Sequence, residues 1–289
     1  MSLFFVTGLS GFTGRYLEKE LLEHGHTVVG ARSDLRDATA LHSEVREINP
    51  DCVIHLAAIS NVAHGETEDF YKVNVVGTDN LLFALASSPK PPARVLLAGS
   101  ANIYGNVQVS APIAESAKVS PANHYGISKA AMEMVASTYA DALPITVVRL
   151  FNFTGCGQSQ AFLVPKMVEA FASRAPELVL GNLDVRRDFS DVRDMVRYMR
   201  LLTSASGICG TINLCSGTTF SLHEVFDELC LLSGHRPKIV SNPALRRGNE
   251  IMTLLGDRSL LNSILGLAAH ARDFRETLGW MYTTATSSR

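Results

Sequence analysis

Short, uniformly apolar runs separated by amphipathic stretches organise the first half of the chain. The runs Leu3–Thr7, Thr27–Ala31, Cys52–Leu56, Arg94–Ala98 and Ile145–Leu150 have the length and the aliphatic, β-branched content of strands covered on both faces. Between them, Gly14–Glu23, Ala38–Ile48, Phe70–Ala86 and Tyr125–Ala140 repeat apolar residues at spacings of three and four, so each predicts a helix that lays one face on a sheet. Strand and helix in strict alternation predict the α/β class: a Rossmann-type doubly wound parallel sheet whose ligands lie beyond the carboxyl ends of its strands.

After Phe151 the rhythm weakens. Glycine and proline punctuate Gly155–Gly157, Pro165, Pro176, Gly181, Pro237 and Pro243, and strand-like runs are sparse. This pattern predicts a dinucleotide-binding domain over residues 1–150 and a smaller C-terminal substrate-binding lobe over 151–289. The helix-like Val192–Leu202 and strand-like Thr211–Cys215 are expected to return to the first domain, so the boundary is not a single cut.

Composition narrows the class. Hydrophobic residues make up 46% and charged residues 19% of the 289, which excludes a disordered chain. Twenty-six Lys plus Arg against 28 Asp plus Glu leave a net charge of −2, without the basic field that nucleic acid or an anionic membrane requires; neither partner is expected. Five cysteines form no CxxC pair, the apolar start Met1–Val6 runs straight into Thr7-Gly8 without a basic leader, and no stretch reaches the roughly 18 apolar residues of a membrane span. A cytoplasmic location is expected. Nine histidines show no i, i+4 pair beside a third ligand, so no metal is expected.

Three places carry candidate chemistry. Thr7-Gly8-Leu9-Ser10-Gly11-Phe12-Thr13-Gly14 joins the first strand to the first helix, with glycines where side chains would keep a pyrophosphate from the backbone amides and the positive helix end. At the end of the second strand Arg32 stands where an NAD site usually offers an acid to the ribose; its guanidinium suits the 2′-phosphate of NADP, the alternative being a solvated loop arginine. The Ser-Asp-Leu-Arg-Asp run that follows, with Asp34 and Leu35, is read as the start of the third strand and the adenine edge. Tyr125 and Lys129 are four apart on one helix face, where the lysine charge is expected to draw the phenol down toward general acid–base duty. Ser100, ending a strand, can hydrogen-bond a substrate oxygen.

In order and spacing, TGLSGFTG, His55-Leu56-Ala57-Ala58, Asn74-Val75-Val76-Gly77-Thr78, Ser100–Gly105 and Tyr125–Lys129 resemble the extended short-chain dehydrogenases that act on nucleotide sugars. Further on, Phe151-Asn152, Gly157-Gln158-Ser159, Gly181–Asp184, Arg187–Asp194 and Asn213–Gly217 are similar to the branch that holds the GDP-4-keto-6-deoxymannose reductases and GDP-mannose 4,6-dehydratases. The resemblance implies Ser100, Tyr125 and Lys129 as the catalytic set. For the cofactor, NADP with NAD as the alternative, it implies Gly8, Gly11, Phe12, Gly14, Leu56, Ala57 and Ala58 together with Tyr125 and Lys129. For a nucleotide-sugar substrate it implies Asn152, Asn182, Arg187 and Arg247, the two arginines clamping the diphosphate unless Arg187 pairs with Asp188 or Asp191. A homodimer built on the Phe70–Ala86 and Tyr125 helices is also implied.

Two departures touch the substrate side. Phe153 and Cys156 replace a histidine and a proline of the pattern, and Leu265-Gly266-Leu267-Ala268 replaces a Gly-Trp-x-Pro stretch. The expected activity is reduction of a 4-keto-6-deoxy sugar nucleotide, GDP-linked. An epimerase using the same tyrosine, and a dinucleotide-sensing regulator without turnover, are the alternatives.

Overall fold

In the computed structural model, which describes residues 1–60, 66–106, 111–205, 207–242, 251–287 and 289, six strands form one parallel sheet. Along the chain, β1 (Leu3–Thr7), β2 (Thr27–Gly30), β3 (Cys52–His55), β4 (Arg94–Ser100) and β5 (Ile145–Leu150) precede β6 (Asn152–Thr154), β7 (Glu177–Leu180), β8 (Arg186–Asp191) and β9 (Gly210–Leu214). The sheet order is β2-β1-β3-β4-β5-β9, with the strand order reversing at β1 and β3, so a crevice opens at their carboxyl ends.

Period-two alternation sends Phe4 and Val6 to one face of β1 and Phe5 to the other. On the first face α1 (Phe12–Glu23) packs through Leu17 and Leu21. On the second, α2 (Ala38–Ile48), α3 (Thr67–Tyr71), α4 (Gly77–Ala86) and α5 (His124–Ser137) follow, with Leu41, Val45, Leu81, Leu85 and Met132 in the core. After α6 (Leu163–Ala172), α7 (Val192–Ser204) returns to the first face beside α1 through Met195, Val196 and Met199, and leads into β9. The helix read over Phe70–Ala86 is in fact α3 and α4 joined by one π-helical turn, Lys72–Val76.

Of the remaining strands, β6, β10 (Thr219–Ser221) and β12 (Thr253–Leu254) have three residues or fewer, and β8, the longest, reads Arg-Arg-Asp-Phe-Ser-Asp without an apolar run, which is why the sequence showed few of them. β8 is flanked by antiparallel β10 and by β12, pairs with β6, and β7 pairs with β11 (Lys238–Ser241). With α6, α8 (Leu222–Ser233) and α10 (Phe274–Ser287), they enclose a core of Phe171, Val225, Phe226, Phe189, Phe274 and Leu278; α9 (Ser259–Leu265) packs on the parallel sheet through Leu261. Among the described residues no helix is long and apolar enough to cross a membrane.

One expectation fails here. Ser33–Asp37 does not open the third strand, which begins at Cys52; it turns directly into α2. Asp34 accepts from Arg36 N, and Asp37 caps α2 by accepting from Ala40 N at 3.0 Å. Short acidic side chains that bond nearby amides favour caps and turns over strands.

Two buried polar networks fix the carboxyl ends of the strands. In the first, Ala57 N–H donates to Thr7 Oγ1, Thr7 to His55 Nδ1 (2.6 Å), His55 Nε2–H to Thr78 Oγ1 (2.9 Å), and Thr78 to Asn74 O (2.8 Å), so the directions of the flanking bonds assign the neutral imidazole tautomer. In the second, buried Arg149 of β5 donates to Glu133 of α5 (2.8 Å) and to Tyr104 Oη (2.9 Å), and Tyr104 donates to Asn213 Oδ1 of β9 (2.7 Å).

Burial holds His55 down to about 3, with the Lys129 charge adding in the same direction. A base whose folded value lies below its unfolded one contributes stability that is fully present above about pH 6.5 and is lost as the pH falls from there toward 3. Urea unfolding across this window will show the loss, at about 1.4 kcal/mol per pH unit from this group. His55→Gln, which keeps one donor and one acceptor, will flatten the slope; an unchanged slope would assign the acid loss to carboxylates.

Candidate active site

The turn from β1 into α1 passes through Gly8 at φ +74°, a left-handed conformation that favours glycine. A Cβ there would sit 2.8 Å from Ala57 N, so the glycine lets this turn lie against the segment Leu56, Ala57, Ala58 that follows β3. Gly14 is likewise pressed on the carbonyls of Gly8 and Leu9. The glycines therefore serve backbone packing first, and clearance for a ligand follows from it. Gly11 precedes α1 and no side chain caps that helix, which leaves its first-turn amides to an anion. A cavity of about 380 Å³ lies over the turn, lined by Gly8, Leu9, Ser10, Arg15, Glu18, Gly30 and Ala31. Glycine turn, uncapped helix and cavity fit a dinucleotide. Phe12, the first residue of α1, stacks on Phe153 with ring centroids 6.2 Å apart.

At the end of β2 the surroundings of Arg32 are acidic. Its Nε and Nη2 donate to Glu44 and Glu47 of α2 (3.2 Å each), while the side chain as a whole stays 67% exposed. Asp34 is gripped by Arg36, which holds its carboxyl down to about 2. Leu35 is buried in the core under α4.

The catalytic candidates converge where β4 ends. Ser100 closes β4 and its Oγ accepts from Asn102 N and Asn102 Nδ2, both at 3.2 Å. The Ser100 hydroxyl also acts on the Tyr125 phenol, favouring its ionised form. Tyr125 stands in the first turn of α5, where Asn123 caps the helix by accepting from Gly126 N at 2.8 Å. Gly126 is required by close approach: a Cβ would lie 2.7 Å from Asn102 O. One turn on, buried Lys129 points its ammonium at Ala98 O of β4 (2.7 Å).

The electrostatics differ from the expectation that the lysine draws the phenol down. Burial pushes the Tyr125 phenol above its ordinary value, with the nearby Ser100 hydroxyl opposing, and burial lowers Lys129 to about 8 against the pull of Glu133. A buried group favours its neutral form, and for the Tyr125 phenol burial sets the direction.

On the second lobe, Asn152 is exposed at the start of β6, directly after β5. Asn182 and Arg187 are brought together over Met252: Asn182 Nδ2 donates to its sulfur (3.7 Å), Arg187 Nη1 to its carbonyl (3.4 Å). Asp188 spends its carboxylate on Ser216 and Gly217, and Asp191 on Arg193 and Thr277. Arg247 lies outside the described residues. Among the described residues, no three His, Cys, Asp or Glu side chains gather as a metal site.

Sequence reasoning missed three groups. Asn102 orients Ser100. Asn74, on the π turn, bonds both Ile59 backbone groups and Ser128 Oγ, anchoring the entry to α4 against α5. Glu44 accepts from the backbone that follows β2. Asn74 stood in a recognised motif without a role; Glu44 had no local signal, since its partners are 11 and 12 residues away.

Comparison with known proteins agrees with this geometry. The chain is 37% identical over 282 residues to GDP-6-deoxy-D-talose 4-dehydrogenase of Aggregatibacter actinomycetemcomitans, with 96% of each chain covered. It is 33% identical over 279 residues to GDP-6-deoxy-D-mannose reductase of Pseudomonas aeruginosa, covering 91% of this chain and 90% of that one. The solved structure of RMD from Pseudomonas aeruginosa complexed with NADPH superposes with a TM-score of 0.91 over 100% of both chains, at 28% identity. The sequence pattern of one family matches residues 4–215, from the first strand through the glycine turn and the Ser100, Tyr125 and Lys129 cluster to the last strand of the parallel sheet, and the chain therefore belongs to the NAD dependent epimerase/dehydratase family.

Proposed function

We propose that this member of the family is a nucleotide-sugar oxidoreductase that reduces the ketone of a GDP-linked 4-keto-6-deoxy sugar at the expense of NAD(P)H. The observation that carries the reading is the pairing of a complete proton-donating set with the lack of an acid beside it. Ser100, Tyr125 and Lys129 meet at the end of β4, and the adjacent positions are Ala101 and Asn102, neither of which exchanges a proton near neutral pH. Reduction needs one proton and one hydride. Dehydration of a parent hexose needs in addition a base at C5 and an acid at the leaving C6 oxygen.

Gly8, Gly11, Phe12 and Gly14 would hold the dinucleotide, whose nicotinamide would supply the hydride. Ser100, oriented by Asn102, donates a hydrogen bond to the carbonyl oxygen, and Tyr125 delivers the proton as the C=O bond becomes an alkoxide. Lys129 keeps positive charge beneath the phenol as it ionises. Asn152, Asn182 and Arg187, with Arg247, take the diphosphate and sugar. The similarity to two enzymes named for GDP-6-deoxy sugars supports the base and the sugar class. A cytoplasmic location accords with five unpaired thiols.

The same reading includes a homodimer. Val76 and Phe83 are exposed on one face of the α3–α4 element, and Ile127 and Met134, the latter 72% exposed, on one face of α5. The spacing of seven places each pair on one stripe, and two helices from each copy would cover both stripes.

Three outcomes are expected. Tyr125→Phe lowers turnover by about 10²–10⁴ while leaving cofactor affinity nearly intact; unchanged turnover sinks the assignment. With NADPH or NADH in turn, GDP-4-keto-6-deoxymannose is consumed as nicotinamide absorbance falls, whereas GDP-mannose is not dehydrated, a keto-sugar product from the latter being the contrary result. Phe83→Glu with Met134→Glu shifts the sedimenting species from dimer to monomer, and a wild type that already sediments as a monomer refutes the interface.

A further inference from the structure

A 2′-phosphate at the adenosine end of a dinucleotide site needs donors, and the end of β2 has three: the amides of Arg32 and Ser33 and the Arg32 guanidinium. Both amides are taken by a buried carboxylate, and the guanidinium, though 67% exposed, is paired with acids of α2. The Glu44 carboxylate accepts from Arg32 N at 2.8 Å through one oxygen and from Ser33 N at 2.9 Å through the other, and the guanidinium spans Glu44 and Glu47 at 3.2 Å each. Glu44 is 4% exposed and is delivered from α2, two turns beyond the Asp37 cap. It occupies the donor set that a phosphate would use. Moving it aside would strand a buried carboxylate, at the cost that attaches to an unpaired buried charge.

The local charge points the same way. Arg32 contributes one positive charge against Glu44 and Glu47, and the next pair along, Asp34 and Arg36, neutralises itself. A phosphate would enter a patch that is already net negative. The hydroxyls of an unphosphorylated ribose are donors and meet carboxylates instead of competing with them. The fold itself does not decide the matter, since a solved relative with the same architecture carries NADPH. The side chains around β2 do.

We infer that Glu44, supported by Glu47, excludes a 2′-phosphate from the end of β2 and makes this enzyme select NAD(H) over NADP(H). The inference rests on the reading of this cavity as the dinucleotide site.

The test is equilibrium binding of NADH and of NADPH to the full chain, followed by nicotinamide fluorescence and by calorimetry, without substrate. The wild type is expected to bind NADH at least about tenfold more tightly, as like charges brought together imply, and rising salt is expected to narrow that gap by screening the exposed part of the repulsion. Glu44→Gln and Glu47→Gln should each shift the NADH-to-NADPH affinity ratio toward NADPH. Glu47 is exposed, so its variant keeps the test open where Glu44→Gln fails to fold. NADPH bound as tightly as NADH by the wild type, or a ratio that neither variant moves, overturns the inference while leaving the oxidoreductase reading intact. Failure of both dinucleotides to bind overturns that reading, and the inference with it.

Discussion

A lysine ammonium is buried at the centre of this molecule, and much of the site is arranged around the need to keep it there. Lys129 is 3% exposed, beneath the end of β4. A buried charge persists only when hydrogen-bonded and countered, and each such partner is traceable. The carbonyl of Ala98 accepts from it, Glu133 sits one helical turn further along, and Arg149 grips Glu133 from β5. Arg149 in turn reaches Tyr104, and through it Asn213 of β9. One charge thus ties α5 to three strands and to the turn that follows Ser100. Tyr125 is positioned by the same helix, so the geometry of the phenol inherits the rigidity of the ion network.

The neighbouring imidazole shows the converse solution. His55, also buried, stays neutral because burial and the Lys129 charge both disfavour its protonation, and its two nitrogens are held in a chain of bonds that runs from Ala57 to Asn74. That chain links the glycine turn, the end of β3 and the π turn before α4. The glycine turn and the helices that carry the exposed Val76–Phe83 stripe are therefore braced by one run of hydrogen bonds.

The departures from the family pattern acquire physical content in the same way. Phe153 stacks on Phe12 at the start of α1, the carbonyl of Cys156 accepts from Tyr16 Oη at 2.7 Å, and Arg193 lies 3.8 Å over the Trp280 ring, itself edge-on to Tyr16. Burial pushes the Tyr16 phenol up to about 12, so it remains a donor at any ordinary pH. Phe153 and the Cys156 backbone thus join α1 to the chain that follows β5.

What could be read along the chain is what depends on neighbours in sequence. The apolar runs at Leu3–Thr7 and Ile145–Leu150, the helix at Ala38–Ile48, the glycine turn and the four-residue spacing of Tyr125 and Lys129 are local patterns set by the periods of strand and helix, and they were legible. The Ser33–Asp37 turn was misread because its decisive bonds are caps, which compete with strand formation without changing the apolar pattern. The direction of the Tyr125 shift, the orientation of Ser100 by Asn102, the meeting of Asn182 and Arg187 over Met252, and the seizure of Arg32 by Glu44 and Glu47 were not legible. Each depends on burial or on partners from separate elements, and only packing those elements together fixes the distances on which hydrogen bonding and charge interaction depend.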